Sequence, residues 1–147
     1  MATKNEISQR ILTAKNGAQD SVRKDFLSDL ANYTGRDTIL YCSAYTKPQQ
    51  TGVPSEALSL VTGDMQGFMS ALHGLHNQNL DLIIHSPGGS VEAAEQVISY
   101  LRTKYTHIRA IIPQNAMSAA TMLACACDEI IMGKHSAIGP IDPQITF

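Results

Sequence analysis

At 147 residues the chain has the length of one compact domain, which typically runs to roughly 150 residues, and leaves no room for two full ones. Hydrophobic residues make up 44%, charged residues 16% and aromatics 5%, with no Trp, a balance that excludes a disordered or fibrous chain. Lys and Arg number 11 against 13 Asp and Glu, for a net charge of -2, so there is no basic field to hold a phosphate backbone and nucleic acid is excluded as the expected partner.

The N-terminus, MATKNEISQRILTAK, scatters charges where a signal peptide or membrane span needs an apolar run, so the expected location is cytoplasmic and no transmembrane segment is predicted. From Glu6 to Ala31 apolar residues fall mostly four apart, at Ile7, Ile11, Ala18, Val22, Phe26 and Leu30, which predicts an amphipathic helical arm with a break at Gly17. Thr38 to Ala44 reads as a strand, followed by a loop from Lys47 to Ser55 with two prolines and Gly52. Asp64 is expected to cap a helix carrying Met65, Phe68, Met69, Leu72 and Leu75 on one face, with the methionines as core filler.

Leu80 to His85 is a near-continuous apolar run, as in a strand buried on both faces of a parallel sheet. After the turn Ser86-Pro87-Gly88-Gly89, Ser90 is placed to cap a helix with Val91, Ala94, Ile98 and Leu101 on its buried face. Ile108 to Ile112 reads as a strand ended by Pro113, Met117 to Ala126 as a small-residue helix, and Glu129 to Met132 as a short strand. Strands alternating with helices predict an α/β layer fold with a largely parallel sheet. Cys42, Cys125 and Cys127 are expected to be reduced core thiols; a Cys-x-Cys pair on a helix turns its sulfurs to different faces, so no metal site is predicted. His73, His76, His85 and His107 sit at no metal-ligand spacing, and His73 with His76 is expected on a solvated helix face.

Two junctions bear on chemistry. In Ser86-Pro87-Gly88-Gly89-Ser90, adjacent glycines leave amide N–H groups bare at a helix start, which suits an oxyanion or a phosphate; an ordinary turn is the alternative. No Gly-Lys-Ser/Thr follows, so it is not a nucleotide-binding P-loop. In Asn115-Ala116-Met117-Ser118-Ala119-Ala120, a serine among small residues at a strand-to-helix junction can expose its hydroxyl; a helix-capping serine is the alternative. In a parallel sheet the loops after successive strands open on one edge, so Gly89 and Ser118 are expected to face one crevice.

The two runs LDLIIHSPGGSVEAAEQVISYL and IRAIIPQNAMSAATMLACACDEIIMGKHSAIGPIDPQ, in this order and separation, resemble the serine dehydrogenase proteinase family, relatives of signal peptide peptidase A within the Clp protease and crotonase superfold. The resemblance covers about Thr38 to Gln144. It implies a ββα superhelix with a largely parallel sheet over 36–147, C-terminally incomplete, preceded by the helical arm over 1–35. It implies a serine peptidase, without a cofactor, that acts on a peptide or protein substrate and assembles as a homo-oligomer. By position Ser118 matches the nucleophile, Gly89 and Ala119 the backbone donors of the oxyanion hole, and Gly88 a substrate-binding glycine.

The departure from the family pattern is the general base. Where Clp subunits carry a histidine, this chain has Ile141 or Asp142, and the lysine of the signal peptide peptidase relatives would fall beyond Phe147. Three expectations follow: the sequence is an N-terminal part of a longer enzyme whose Ser-Lys dyad is completed elsewhere; Lys134 or His135 serves as an internal base; or the chain is a catalytically silent scaffold. A crotonase-like site polarising an acyl-CoA thioester is a further alternative, against which Ser118 stands, since that chemistry uses carboxylates. A membrane association would have to come from a part outside this sequence or from a partner.

Overall fold

The structure, a computed structural model, describes residues 2–14, 19–46 and 52–141. Two helices, α1 (Lys4–Thr13) and α2 (Gln19–Thr34), precede strand β1 (Asp37–Cys42). A 3-10 turn (Ser55–Leu58) and α3 (Asp64–Ala71) lead to β2 (Asn79–His85), α4 (Val91–Lys104) and β3 (His107–Ile112). The short β4 (Asn115–Ala116), α5 (Ala119–Cys125), β5 (Glu129–Met132) and β6 (Ala137–Ile138) complete the order. Four strands form a parallel sheet in the order β1-β2-β3-β5, while β4 and β6 pair in a second, two-stranded parallel sheet. The expected α/β class and largely parallel sheet are present. The expected break at Gly17 and most of the loop from Lys47 lie outside the described residues.

The apolar run of β2 has the meaning read from it: Leu80, Leu82 and Ile84 are fully buried, together with Ile108, Ala110 and Ile112 of β3. Their shared face carries the core, covered by Phe68 and Leu72 from the α3 region, by α4 and by α5. Burying a Leu or Ile side chain in this way stabilises by about 1.5 to 3 kcal/mol each. The opposite face carries an aliphatic row in register across all four strands, Leu40, Ile83, Ile111 and Ile131, exposed to 39% at Ile131. The arm shelters one side of this face: Ile7, Ile11, Phe26 and Leu30 lie over Leu40 and Ile83 around a cavity of about 500 Å³.

Local chemistry accounts for the helix limits. Ser90 caps α4 by accepting from Ala93 N at 3.1 Å, with Glu92 in the first turn and Arg102 and Lys104 in the last, each on the favourable side of the helix dipole. Thr3 and Glu6 form a reciprocal capping box on α1. The buried residues of α4 are Ala93, Ala94, Val97 and Leu101, so Ala94 and Leu101 of the expected face are buried, Ile98 packs partly buried against the core, and Val91 is exposed. Val91 and Ile98, with Ala94, also line a groove against Met122 and Leu123 of α5.

Asp64 does not cap α3; Gly63 holds that position, and the Asp64 carboxylate accepts from Val61 N and the Tyr41 hydroxyl, both at 3.0 Å. Burial first, then the Asp64 charge, raises the Tyr41 phenol above its ordinary pKa. Helix α3 ends at Ala71, which leaves the exposed His73 and His76 in the turn beyond it, and Met69 is half exposed rather than core. The cysteines also depart from expectation: all three are free, but Cys42 and Cys125 are exposed and Cys127 is only partly buried. Burial still pushes the Cys127 thiol up to about 12, and its Sγ donates to Leu123 O.

A polar cluster ties the amino edge of the sheet. Asp81, fully buried in β2, receives Arg36 Nε at 2.6 Å and Arg109 through Nε and a terminal nitrogen at 3.0 and 2.8 Å. Arg36 also donates to Leu80 O and His107 O and meets His107 Nδ1 at 2.9 Å, which must be an acceptor there because a guanidinium only donates. Nearby, Asp37 accepts from Asn77 N and the Tyr105 hydroxyl, and Asp128 accepts from Ile108 N and Arg102.

Candidate active site

The carboxyl edge of the sheet is built differently. Past β2 the chain runs on as an extended segment that threads between two partners. Ser86 N donates to Asn115 O and Met117 N donates to Ser86 O, both at 3.0 Å, which binds the segment to β4. On its other side Leu60 N donates to Gly88 O at 2.6 Å and Ser90 N to Leu60 O at 2.8 Å. Ser86 and Ala116, two residues before Ser118, are bridge partners, so the two sequence motifs meet in space.

Both glycines are required by close approach. At Gly88, φ +94°, a Cβ would lie 2.4 Å from Met117 O and 2.7 Å from Ser118 Cβ. At Gly89, φ +148°, it would lie 2.2 Å from Leu60 O. A trans peptide places its C=O and the following N–H on opposite sides. Because Gly88 O is held by Leu60, the Gly89 N–H points away from Leu60, and Gly89 itself is exposed.

Ser118 stands at the N-cap of α5 with φ 51° and ψ -123°, the single described non-glycine residue at positive φ. Its side chain makes no capping hydrogen bond, so the alternative of a plain capping serine is not what the structure holds. An L-residue in that region stores on the order of 1 to 3 kcal/mol of strain. The surroundings fix it: Thr121 N and Met122 N both donate to Ser118 O, and the Thr121 hydroxyl donates to Ala116 O at 2.7 Å while accepting from Gly139 N at 2.8 Å. Ala119 is fully buried, and its N would be 3.0 Å from a Cβ on Gly88. Among the described residues, neither the Gly89 nor the Ala119 amide N–H has a hydrogen-bond acceptor.

The other expected site residues stand apart. Lys134 and His135 are exposed in the turn between β5 and β6, and neither bonds to Ser118 among the described residues. Ile141 is 58% exposed, and Asp142 lies outside the described residues. Among the described residues no cluster of three or more His, Cys, Asp or Glu could hold a metal ion. Sequence reasoning missed the contribution of Leu60, whose backbone holds both glycines; a lone Leu in a loop carries no signal for that role.

The chain is thus an α/β protein with a parallel sheet and, at its carboxyl edge, a strained serine beside a double-glycine segment. The family of ClpP-like SDH-type serine proteinases matches residues 64–147, more than half of the chain, and the protein belongs to that family. Two uncharacterized proteins of Methanocaldococcus jannaschii, MJ0137 and MJ1495, are 47% and 48% identical to it over 66 residues, 45% of this chain. The chain spans 23% of the length of each of these curated relatives. Among solved structures, a point mutant of ClpP1 from Listeria monocytogenes is similar with a TM-score of 0.46 and 15% identity, over 61% of this chain and 46% of that one.

Proposed function

We propose that this chain carries the nucleophile and oxyanion hole of a serine peptidase that cleaves peptide bonds through an acyl-enzyme. The observation that carries the reading is Ser118: a serine held at φ 51° with its hydroxyl unused for capping, against Gly88 and beside two amides that have no acceptor among the described residues. In this reading Ser118 Oγ attacks the peptide carbonyl carbon and gives up its proton to a general base. The carbonyl oxygen becomes an oxyanion, and the Gly89 and Ala119 N–H groups donate to it. The tetrahedral carbon then expels the amine, which takes the proton, and leaves an ester on Ser118 that water hydrolyses. Gly88 contributes by lacking a side chain, which lets the substrate-facing segment lie directly on Ser118.

In this reading the base is not identified among the described residues; the exposed positions of Lys134 and His135 do not favour either. A homo-oligomer fits the exposed Ile130, Ile131 and Met132 of β5 and Ile138 of β6, an apolar edge that a second copy would cover. No helix among the described residues is long and apolar enough to cross a membrane.

A fluorophosphonate probe, applied to the protein isolated from its natural source so that its general base is present, tests the reading. The expected result is one covalent adduct on Ser118, absent in Ser118→Ala, which lacks the nucleophilic oxygen. An adduct that survives Ser118→Ala, or an unlabelled wild-type protein, overturns it; acyl-CoA turnover independent of Ser118 would put the crotonase reading in its place.

A further inference from the structure

His85 ends β2 only 9% exposed, and its Nδ1 has no hydrogen-bond partner among the described residues. The hydroxyl of Tyr45, also buried, has none either, and the two rings lie 5.1 Å apart at 34°. Leaving a buried donor or acceptor unpaired incurs the full desolvation of that group, and two such groups on neighbouring rings incur it twice. Their place in the fold is the carboxyl edge. Cys42 and His85 are register partners at the ends of β1 and β2, Ser43 N donates to His85 O at 2.8 Å, and Ser86 begins the segment that meets β4 and leads to Gly88.

We propose that Tyr45 and His85 form a subsite that binds an uncharged amide group of the peptide substrate. The inference rests on the peptidase reading above. Charge selects the ligand class: among the described residues no charged side chain bonds to either group, so a carboxylate or ammonium seated there would be buried without a counter-charge. An amide presents donor and acceptor atoms to the phenolic hydroxyl, which can donate or accept, and to the imidazole Nδ1, whose role depends on the tautomer. The amide can come from a Gln or Asn side chain or from the peptide backbone.

The test uses the Ser118→Ala protein, in which binding is read without hydrolysis. Peptides of one scaffold carrying Gln, Glu or Ala at each position in turn, and a backbone N-methylated set, are titrated by calorimetry while the 15N resonance of His85 Nδ1 is followed. A side-chain amide predicts that Gln peptides bind about tenfold tighter than Ala or Glu peptides, and that Tyr45→Phe, which deletes one oxygen, removes the difference. A backbone amide predicts that Ala and Gln peptides bind alike, that both weaken about tenfold in Tyr45→Phe, and that N-methylation at one position has the same effect. Either result must move the His85 resonance. The proposal is overturned if no peptide moves that resonance, or if Tyr45→Phe leaves every affinity unchanged. Fluorophosphonate labelling of the wild-type protein separates the two readings. A labelled Ser118 with an unmoved His85 removes the subsite alone, whereas an unlabelled Ser118 with a moved His85 removes the peptidase alone.

Discussion

The two edges of the parallel sheet treat polar groups in opposite ways. At the amino edge buried charge is saturated: Asp81 receives two guanidinium groups, Arg36 reaches four acceptors on β2 and β3, and Asp37 and Asp128 each accept from a backbone N–H and a side chain. The Thr34 hydroxyl is the buried atom left unpaired on that side among the described residues. At the carboxyl edge a serine is held in a strained conformation, two glycines sit where no side chain fits, and His85 and Tyr45 keep unpaired polar atoms. The contrast teaches where each kind of polar group stands. Groups that hold the strands together are paired within the chain and, the Thr34 hydroxyl apart, the unpaired or strained ones gather at the edge where the proposed site lies.

The largest stability effect is expected at the amino edge. Asp81→Ala leaves two partly buried guanidinium groups without their partner and should cost about 3 to 5 kcal/mol, read as a lowered denaturant midpoint. Fluorophosphonate reactivity of the fraction still folded should be unchanged; a loss of reactivity in that fraction would join the two edges into one unit. Next comes Gly88→Ala, whose methyl meets backbone at 2.4 Å and whose φ of +94° is closed to alanine. It is expected to destabilise by about 2 kcal/mol and to abolish Ser118 labelling together, because the backbone that must move is that of Met117 and Ser118.

Ser118→Gly should act in the opposite sense on stability. It releases the positive-φ strain and is expected to raise the unfolding free energy by about 1 kcal/mol while removing all labelling, the exchange of stability for function that separates this edge from the other. A decrease in stability would show that the Ser118 conformation carries no strain. The smallest effect is electrostatic. The Arg102 guanidinium and the Ile108 N–H hold the Asp128 carboxyl down at about 2 against an ordinary 3.8, so the ionised folded form is favoured. The stabilisation is present above pH 3.8 and is lost as pH falls through about 2. Denaturation midpoints measured down that interval should fall for the wild type and flatten in Asp128→Asn.

Much was legible in the sequence. Patterns within one element determined the strands from Leu80, Ile108 and Glu129, the Ser90 cap and the α/β class, because alternation, apolar runs and capping chemistry act between neighbours in the chain. The two motifs around Gly89 and Ser118 were readable for the same reason, and topology alone required them to share an edge. Tertiary structure decided what depended on distant partners. The burial of Ala94 and Leu101 of α4 and the exposure of Val91, Cys42 and Cys125 were settled by what packs beside them. Asp64 was drawn from its helix start to Tyr41, and Leu60, unremarkable in the sequence, became the backbone clamp on both glycines. The strain at Ser118 and the unpaired Tyr45 and His85 are likewise properties of assembly, since no local pattern encodes how three separate segments converge on one edge.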